Sequence, residues 1–450
     1  MMSKSYKNKL LYLLLIFIFK NFNAQIDQAI QEKKSWTFMV YMAAANDLGI
    51  FAPRNIKQMQ KVGSNQHINI IVQHNFNEKK HTVAETFYIE KNAKKLLSEK
   101  TIKSHSERVS QGLLQFCCDT ITHYPADHYA LILWNHGTGA LEPLQRSFLL
   151  AEEFFLISRS YDFFKNRETS LLTFPHFAVT KKITGYKGIC FNDVSGTFIT
   201  EEELTEVLRH ICTLCPQNRL DIIGFDACFM AMIETAISVK KYAHFMVASQ
   251  DVEPGTGWDY SLALFPFSYT CVKPHELSAH LVHAYAKKYK HVKDFTQSCI
   301  DLQRIESLEN SINRISKLLV ELLKSASSKK MLLLIKTCRN KHSCIHFDET
   351  DYIDLHNFYT NLLQHIQSVA FDNENATKQC EILQKELTVA LSALNETVYE
   401  NMTGQNFLNA KGISIYFPEH AMHSSYKKTM FAQSNDWFIF LKTYLSLLKK

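Results

Sequence analysis

Several short segments of the chain are apolar at every position instead of at every second one. This pattern is typical of strands that are buried on both faces of a parallel sheet. The predicted strands are 36–44, 68–73, 129–134, 220–225, 244–249 and 412–417. Segments with helical spacing lie between several of them, and Thr200 with Glu203 forms a capping-box pattern that predicts the start of one helix. The alternation predicts an α/β domain with a mostly parallel sheet.

The second half of the chain has a different pattern. From about residue 276 to 394 the apolar residues recur at helical spacing, as in Ile305, Leu308 and Ile312. This pattern is typical of core-facing helices more than of a partner-binding face. We expect a main domain over 25–275 and a mainly helical region over 276–450, with the strand at 412–417 returning to the main sheet.

A long segment, 141–184, fits neither pattern. It is rich in aromatic and basic residues, including Arg146, Arg159 and Lys165. Because loops of this length inside a compact domain are usually functional or mobile, we interpret it as a candidate activation loop, although it could also contain helix.

The N-terminus predicts export. Lys4, Lys7 and Lys9 precede a short apolar run over 10–19, which is typical of a signal peptide. Because a bilayer span needs about 20 apolar residues, an uncleaved anchor is the weaker interpretation. We expect a signal peptide over 1–24, no membrane span after its removal, and a periplasmic, secreted or surface-associated protein.

Composition and charge narrow the class of protein. The 450 residues carry a formal net charge of +6 without a basic run that interleaves with aromatics, so nucleic-acid binding is not expected. Eleven cysteines, an odd number, leave at least one thiol unpaired in an oxidising compartment. We interpret the CxxC pair Cys212 and Cys215 as packing at a helix end; a zinc or redox role is the alternative.

Two predicted strand ends carry residues suited to chemistry. Cys228 follows the strand 220–225, and a helix starting at Phe229 would place the thiol at the helix N-terminus, where its pKa is lowered. His136 follows the strand 129–134 and precedes Gly137, whose N–H could face a ligand. Because the carboxyl ends of parallel strands share one rim, the histidine and the thiol could meet there. The alternative for both residues is ordinary core packing.

The blocks around these strand ends resemble the clostripain family of cysteine peptidases, which are relatives of caspases, gingipains and legumain. The resemblance runs from about residue 36 to 418 and is carried by WTFMVYMAAANDL, LILWNHGTGA, GICFNDVSGTFITEEEL, LDIIGFDACFMAMIETA, VASQDVEPGTGWDY and GISIYFP. It implies a caspase-like α/β fold and hydrolysis of peptide bonds after Arg or Lys. Autoprocessing within 141–184, which would give a two-chain form in place of a single-chain monomer, is a hypothesis from the same resemblance.

The resemblance also implies roles for single residues. His136 matches the catalytic histidine, Cys228 the nucleophile, and Gly137 an oxyanion donor. Asp226 matches the acid that selects a basic P1 side chain, with capping of the turn as the alternative. Asp251, Glu253 and Asp259 lie in a loop that could form a pocket wall, and the sequence does not distinguish which of these acids points inward.

Some features of the family pattern are absent or unassigned. Ala45 stands where family members usually have an acid before the Asn46-Asp47 pair, so a role for that acid is not supported. No third catalytic residue stands out beside the cysteine and the histidine. No cofactor is expected, and because no EF-hand-like run is present, calcium stays unassigned.

Two rival functions remain from the sequence. The first is a catalytically silent exported protein that binds peptides in the same crevice, which an unreactive Cys228 would favour. The second is a cysteine-dependent amidase or transpeptidase, whose products would differ from free peptide ends.

Overall fold

The computed structural model describes residues 31–78, 81–102, 108–141, 188–367 and 374–449. The strands in this part of the chain are β1 (Lys34–Ala43), β2 (Ile68–Glu78), β3 (His81–Glu90), β4 (Ala93–Ile102), β5 (Ala126–Trp134), β6 (Ile189–Asn192), β7 (Thr197–Ile199), β8 (Leu220–Asp226), β9 (Ala243–Ala248), β10 (Thr296–Asp301), β11 (Tyr352–Asp354), β12 (Val398–Thr403) and β13 (Ser414–Tyr416).

The α-helices in the same residues are α1 (Ala52–Val62), α2 (Val109–His123), α3 (Glu201–Ile211), α4 (Ile233–Val239), α5 (Tyr260–Ala263), α6 (Pro274–Lys288), α7 (Ile305–Lys324), α8 (Ser328–Arg339), α9 (Leu355–Ile366), α10 (Glu374–Thr397), α11 (Met430–Ser434) and α12 (Trp437–Leu448). Most of them lie in the second half of the chain, as the apolar spacing predicts.

A nine-stranded mixed sheet organises the described residues, in the order β12-β10-β9-β8-β5-β1-β2-β3-β4. The five central strands, from β9 to β2, are parallel to one another. The two strands on each side are antiparallel. The predicted α/β fold with a parallel sheet is therefore confirmed at the centre, where five of the six predicted strands lie.

Both faces of the central strands are buried, which explains their unbroken apolar sequences. Along β1, Phe38 and Val40 enter a core shared with α1 and α6, whereas Met39 and Tyr41 enter the core on the opposite face with α2 and α3. A parallel strand covered by helices on both faces has no polar side to reveal its periodicity.

The helix at 201–211 begins as predicted. Thr200 accepts a hydrogen bond from the Glu203 backbone N–H at 3.1 Å, and the Glu203 carboxylate accepts from the Thr200 N–H at 3.1 Å. This reciprocal capping box satisfies two donors that have no partner within the helix.

The predicted return of 412–417 to the main sheet is wrong. The segment forms β13, which pairs antiparallel with β11 in a separate two-stranded sheet. The C-terminal half instead supplies β10 and β12 to one edge of the main sheet. A short apolar run indicates that a segment is buried. Here the segment is buried because it packs between the sheet and the helices.

Two predicted segments cannot be compared with the structure. The signal peptide at 1–24 lies outside the described residues, and so does the candidate activation loop 141–184 after its first residue. No helix in the described ranges is long and apolar enough to cross a membrane.

Candidate active site

The candidate site lies at the carboxyl ends of β5 and β8. These strands are parallel neighbours, and their last paired residues are Trp134 and Asp226. His136 and Cys228 each follow two positions later, so they leave the sheet at equivalent points of adjacent strands. The predicted rim that brings the histidine block and the cysteine block together is present in the structure.

Asn135 fixes the turn that carries His136. Its backbone N–H donates to the Asp226 carbonyl at 3.2 Å, and its side-chain amide donates to the carbonyls of Ala43 and Phe191. Its side-chain oxygen accepts the backbone N–H groups of His136 and Phe191, at 2.5 and 2.9 Å. One buried amide therefore joins β5 to the ends of β1 and β6.

The His136 imidazole faces a carboxylate that follows β1. Its Nε2 lies 2.8 Å from Asp47 Oδ1, with the two side chains 13% and 23% exposed. The Phe191 ring stands edge-on to the imidazole with 6.5 Å between ring centroids. The sequence carries part of the signal for this contact, since Asp47 also follows an apolar strand; the structure adds that this strand, β1, is the neighbour of β5.

Cys228 sits in a tight turn, and the predicted helix start at Phe229 is wrong. Helix α4 begins only at Ile233. Phe229 has a φ of 62°, a left-handed conformation that a bulky side chain rarely adopts. The turn is held by Phe229 and Ala231, whose N–H groups donate to the carbonyls of Asp251 and Ser249.

The predicted lowering of the Cys228 pKa by a helix N-terminus is also wrong for this conformation. The residue is 7% exposed, and burial raises the pKa of its thiol well above the usual range. The negative charges of Glu253 and Asp251 raise this pKa further. The Glu253 N–H, which donates to Sγ at 3.3 Å, is the opposing influence. This environment therefore favours the thiol over the thiolate.

Gly137 lies directly against the nucleophile turn. A Cβ at this position would come within 2.5 Å of the Cys228 carbonyl oxygen and 3.0 Å of Ala227 Cβ. Only a glycine allows the backbone after the histidine to approach the backbone of the cysteine this closely. This contact brings the sequence-predicted oxyanion residue next to the predicted nucleophile.

Asp226 is 4% exposed, and its carboxylate is held by the loop after β9. The Trp258 N–H donates to both carboxylate oxygens at 3.0 and 3.1 Å, and the Tyr260 hydroxyl donates to Oδ2 at 2.8 Å. Gly257, with a φ of 56°, makes room, since a Cβ there would lie 2.6 Å from Oδ1. These bonds anchor the loop, which is the capping role that the sequence left open as the alternative.

A second buried acid lies beside Asp226. Burial raises the pKa of Asp226, and burial followed by the Asp226 charge raises the pKa of Glu253 well above its usual range. Lys288 is the nearby cation; its Nζ donates to the carbonyls of Thr256 and Gly257, and burial lowers its pKa to about 8. This region therefore contains two carboxyl groups and one ammonium group, so the acids outnumber the nearby cation. Asp226, one of the two acids, is two residues before Cys228.

The cysteines form no disulfide in the structure. All eleven are free thiols. Cys212 and Cys215 pack after the end of α3, as predicted, where their thiols donate to the carbonyls of Tyr242 and Ile211. Within the described ranges, no group of three or more His, Cys, Asp or Glu side chains is arranged to hold a metal ion.

Comparison with known proteins identifies the family. The model of the clostripain family matches residues 40–148 and 171–444, and these ranges include the turns of His136 and Cys228. No curated protein matches the chain by sequence.

Two solved structures share the fold over almost their whole length. A secreted C11 cysteine protease from Bacteroides thetaiotaomicron, in complex with an irreversible peptide inhibitor, is 16% identical with a TM-score of 0.55; the match covers 91% of this chain and 99% of that one. An inactive zymogen of a C11 protease from Parabacteroides distasonis is 15% identical with a TM-score of 0.57, over 92% and 99%. At this identity the structures establish a common fold.

Proposed function

Because the chain belongs to the clostripain family of cysteine peptidases, we propose that it is an exported endopeptidase that cleaves after Arg or Lys with Cys228 as nucleophile and His136 as base. The observation that carries the proposal is the register of β5 and β8. The pairing of Trp134 with Asp226 brings a histidine and a cysteine to equivalent positions on one rim.

The chemistry follows from these two side chains and the turn between them. His136 takes the thiol proton, and the Cys228 sulfur attacks the scissile carbonyl to form a tetrahedral oxyanion. The Gly137 and Cys228 backbone N–H groups stabilise that oxyanion. The imidazolium then protonates the leaving amine, and the neutral ring removes a proton from the water that hydrolyses the thioester.

The acid excess beside the nucleophile supports a basic P1 residue. Asp226 and Glu253 are buried with raised pKa values, so the nearby charge of Lys288 compensates their ionised forms only in part in the free chain. An Arg or Lys side chain entering this region would supply further compensating charge, whereas an apolar side chain would not. In this conformation the 256–260 loop covers Asp226, so binding at P1 requires the loop to move.

The buried thiol, with its raised pKa, supports latency in the uncleaved chain. We include autoprocessing within 141–184 in the proposal, since that segment directly follows the His136 turn. If the purified protein is fully active as a single chain, and Cys228→Ala gives the same pattern on a denaturing gel, this part of the proposal is wrong. The N-terminal pattern of residues 1–24 supports export; N-terminal sequencing of the protein recovered outside the cytoplasm would test it.

The function is tested with matched fluorogenic peptides that end in Arg, Lys, Asp or Leu, using wild type, Cys228→Ala and Asp226→Asn. We expect hydrolysis of the Arg or Lys peptides alone, its loss in Cys228→Ala, and a selective loss of the basic preference in Asp226→Asn. Equal cleavage of all four peptides would contradict the P1 assignment. Hydrolysis that survives in Cys228→Ala would contradict the nucleophile.

A further inference from the structure

We propose that Asp47 is a positioning residue that holds the His136 imidazole in one tautomer and one orientation for proton transfer. The inference rests on the proposed function, in which His136 exchanges protons with Cys228 and with the leaving amine. Its starting point is the contact of 2.8 Å between His136 Nε2 and Asp47 Oδ1.

The position of Asp47 is built into the fold. It is the first residue of a short 3₁₀ helix, Asp47–Ile50, that follows β1. Asn46 caps this helix by accepting the Leu48 N–H at 3.1 Å, and its amide donates to the Phe191 carbonyl at 2.8 Å. Because β1 is the parallel neighbour of β5, this turn opens on the same rim as His136.

The second oxygen of Asp47 is unusual. Asp47 Oδ2 is buried without a hydrogen-bond partner among the described residues. A buried carboxylate oxygen without a partner is costly, and such a group calls for an explanation. Electrostatic stabilisation of a cationic imidazole beside Oδ1 provides one.

A second carboxylate, that of Asp193, contributes at longer range. Burial raises the pKa of Asp193 to about 6, the charge of Asp47 raises it further, and His136 lowers it. The Asp193 backbone N–H donates to the Ala45 carbonyl at 3.0 Å, which ties this residue to the end of β1. Asp193 is thus coupled to both Asp47 and His136, and Asp47 is the acid whose carboxylate lies within hydrogen-bond distance of His136 Nε2.

The hydrogen bond decides which ring nitrogen does the chemistry. With Nε2–H donating to Asp47, the neutral imidazole carries its lone pair on Nδ1, so Nδ1 receives the thiol proton and later returns it. When the ring becomes an imidazolium, the Asp47 carboxylate stabilises the charge without accepting the proton. The acid missing at Ala45 is therefore not needed for this function, because the carboxylate two residues later supplies it.

The chain contains a matched control at the other end of β5. At the amino end of β5, His128 Nδ1 lies 2.9 Å from Asp221 Oδ1, and Asp221 belongs to β8. This pair has the same chemistry and a similar length, and it lies at the end of the strands away from Cys228. Removal of its carboxylate reports the structural cost of losing a His–Asp contact.

The experiment compares wild type, Asp47→Asn, Asp47→Glu and Asp221→Asn in three measurements: kcat and KM for the basic peptide, thermal stability, and the NMR signal of the His136 imidazole N–H. For Asp47→Asn we expect kcat to fall by about 10- to 100-fold with KM within about twofold. The downfield Nε2–H signal should disappear. Asp47→Glu should recover part of kcat, and Asp221→Asn should keep wild-type kcat.

The outcomes separate this inference from the proposed function. If wild type cleaves the basic peptide and Asp47→Asn matches Asp221→Asn in kcat, the positioning role is wrong. Persistence of the Nε2–H signal in Asp47→Asn would also overturn it. If Asp47→Asn is destabilised, the Asp47→Glu variant decides, because a well-folded Glu variant without recovered kcat contradicts the role. A wild type that cleaves no peptide after processing would instead contradict the proposed function.

Discussion

A histidine–aspartate pair lies at each end of strand β5, and the two pairs differ in their surroundings. At the amino end, Asp221 belongs to the neighbouring strand, accepts the Tyr129 N–H with its second oxygen, and raises the pKa of His128 through their hydrogen bond. At the carboxyl end, Asp47 comes from a third element and its second oxygen has no partner in the described residues. Both carboxylate oxygens of the first pair have partners in the sheet, whereas the carboxylate of the second pair has one oxygen without a partner among the described residues.

Two buried thiols near opposite ends of β8 also differ in their surroundings. Cys212, near the start of β8, is buried with its pKa raised to about 11 and donates to the Tyr242 carbonyl. Cys228, after the end of β8, is buried with a raised pKa as well, but it sits between a strained Phe229 and the Gly137 backbone. Burial and pKa alone do not distinguish a structural thiol from a nucleophile. The two thiols differ instead in the groups that surround them.

The largest expected effect is the loss of activity when either member of the dyad is removed. Cys228→Ala and His136→Ala should each reduce kcat/KM for the basic peptide by at least about 10⁴-fold, because the covalent step or its base is lost. Cys212→Ala is the matched control and should stay within about twofold of wild type. A Cys212 variant as inactive as Cys228→Ala would remove the distinction between the two thiols.

The next largest effect is expected from disrupting the close contact between Gly137 and the Cys228 backbone. Gly137→Ala should reduce kcat/KM by roughly 10²- to 10³-fold, because its Cβ would collide with the Cys228 carbonyl and displace an oxyanion donor. Steady-state kinetics and a thermal melt on the same sample separate a misplaced donor from an unfolded protein. Full activity in a folded Gly137→Ala would show that this close approach is not used in catalysis.

A smaller effect is expected for thiol reactivity in the uncleaved chain. Burial raises the pKa of Cys228, whereas Cys271 is exposed, so iodoacetamide should label Cys271 at least about tenfold faster at pH 8. Peptide mass spectrometry at timed intervals measures both sites in one sample. Faster labelling of Cys228 in the intact chain would contradict latency through thiol burial.

The smallest effect is on the pH dependence of stability. Burial raises the pKa of Asp251 to about 7, so the folded state holds this proton more tightly than the unfolded state. Its contribution to stability is full below about pH 4 and is lost as the pH rises through about 7. As the pH rises between those values, the free energy of unfolding of Asp251→Asn should therefore increase relative to that of wild type by on the order of 2–4 kcal/mol.

Denaturant unfolding at pH 4, 5.5 and 7.5 measures this difference. Asp127→Asn, which removes an exposed carboxylate paired with Lys33, is the control and should follow wild type. A constant difference between Asp251→Asn and wild type at all three pH values would show that the Asp251 carboxyl does not titrate within this range.

The central strands and their shared rim could be predicted from the sequence because burial on both faces leaves an unbroken apolar run. The edges could not. Strand β4 is exposed almost throughout, and its Lys-rich sequence resembles a loop, since its pairing with β3 comes from tertiary context. The apolar run at Ser414–Tyr416 could be assigned to a strand but not to a sheet.

The residue types of the candidate site could be predicted from the sequence, but its local geometry could not. His136, Gly137 and Cys228 follow from the strand ends, but nothing in the sequence marks Phe229 as left-handed or delays the helix to Ile233. Asp47 was not predicted, because the sequence does not show that β1 is the neighbour of β5 in the sheet. The rule that located His136 and Cys228 applies equally to an acid that follows the neighbouring strand.

The most direct test of the account is mass spectrometry of the processed protein after reaction with an irreversible peptidyl ketone that carries Lys at P1, with an Asp-P1 ketone as the comparison. The account predicts one adduct of the Lys ketone, on Cys228, and no adduct of the Asp ketone. Modification of another cysteine, or equal labelling by both ketones, would contradict it.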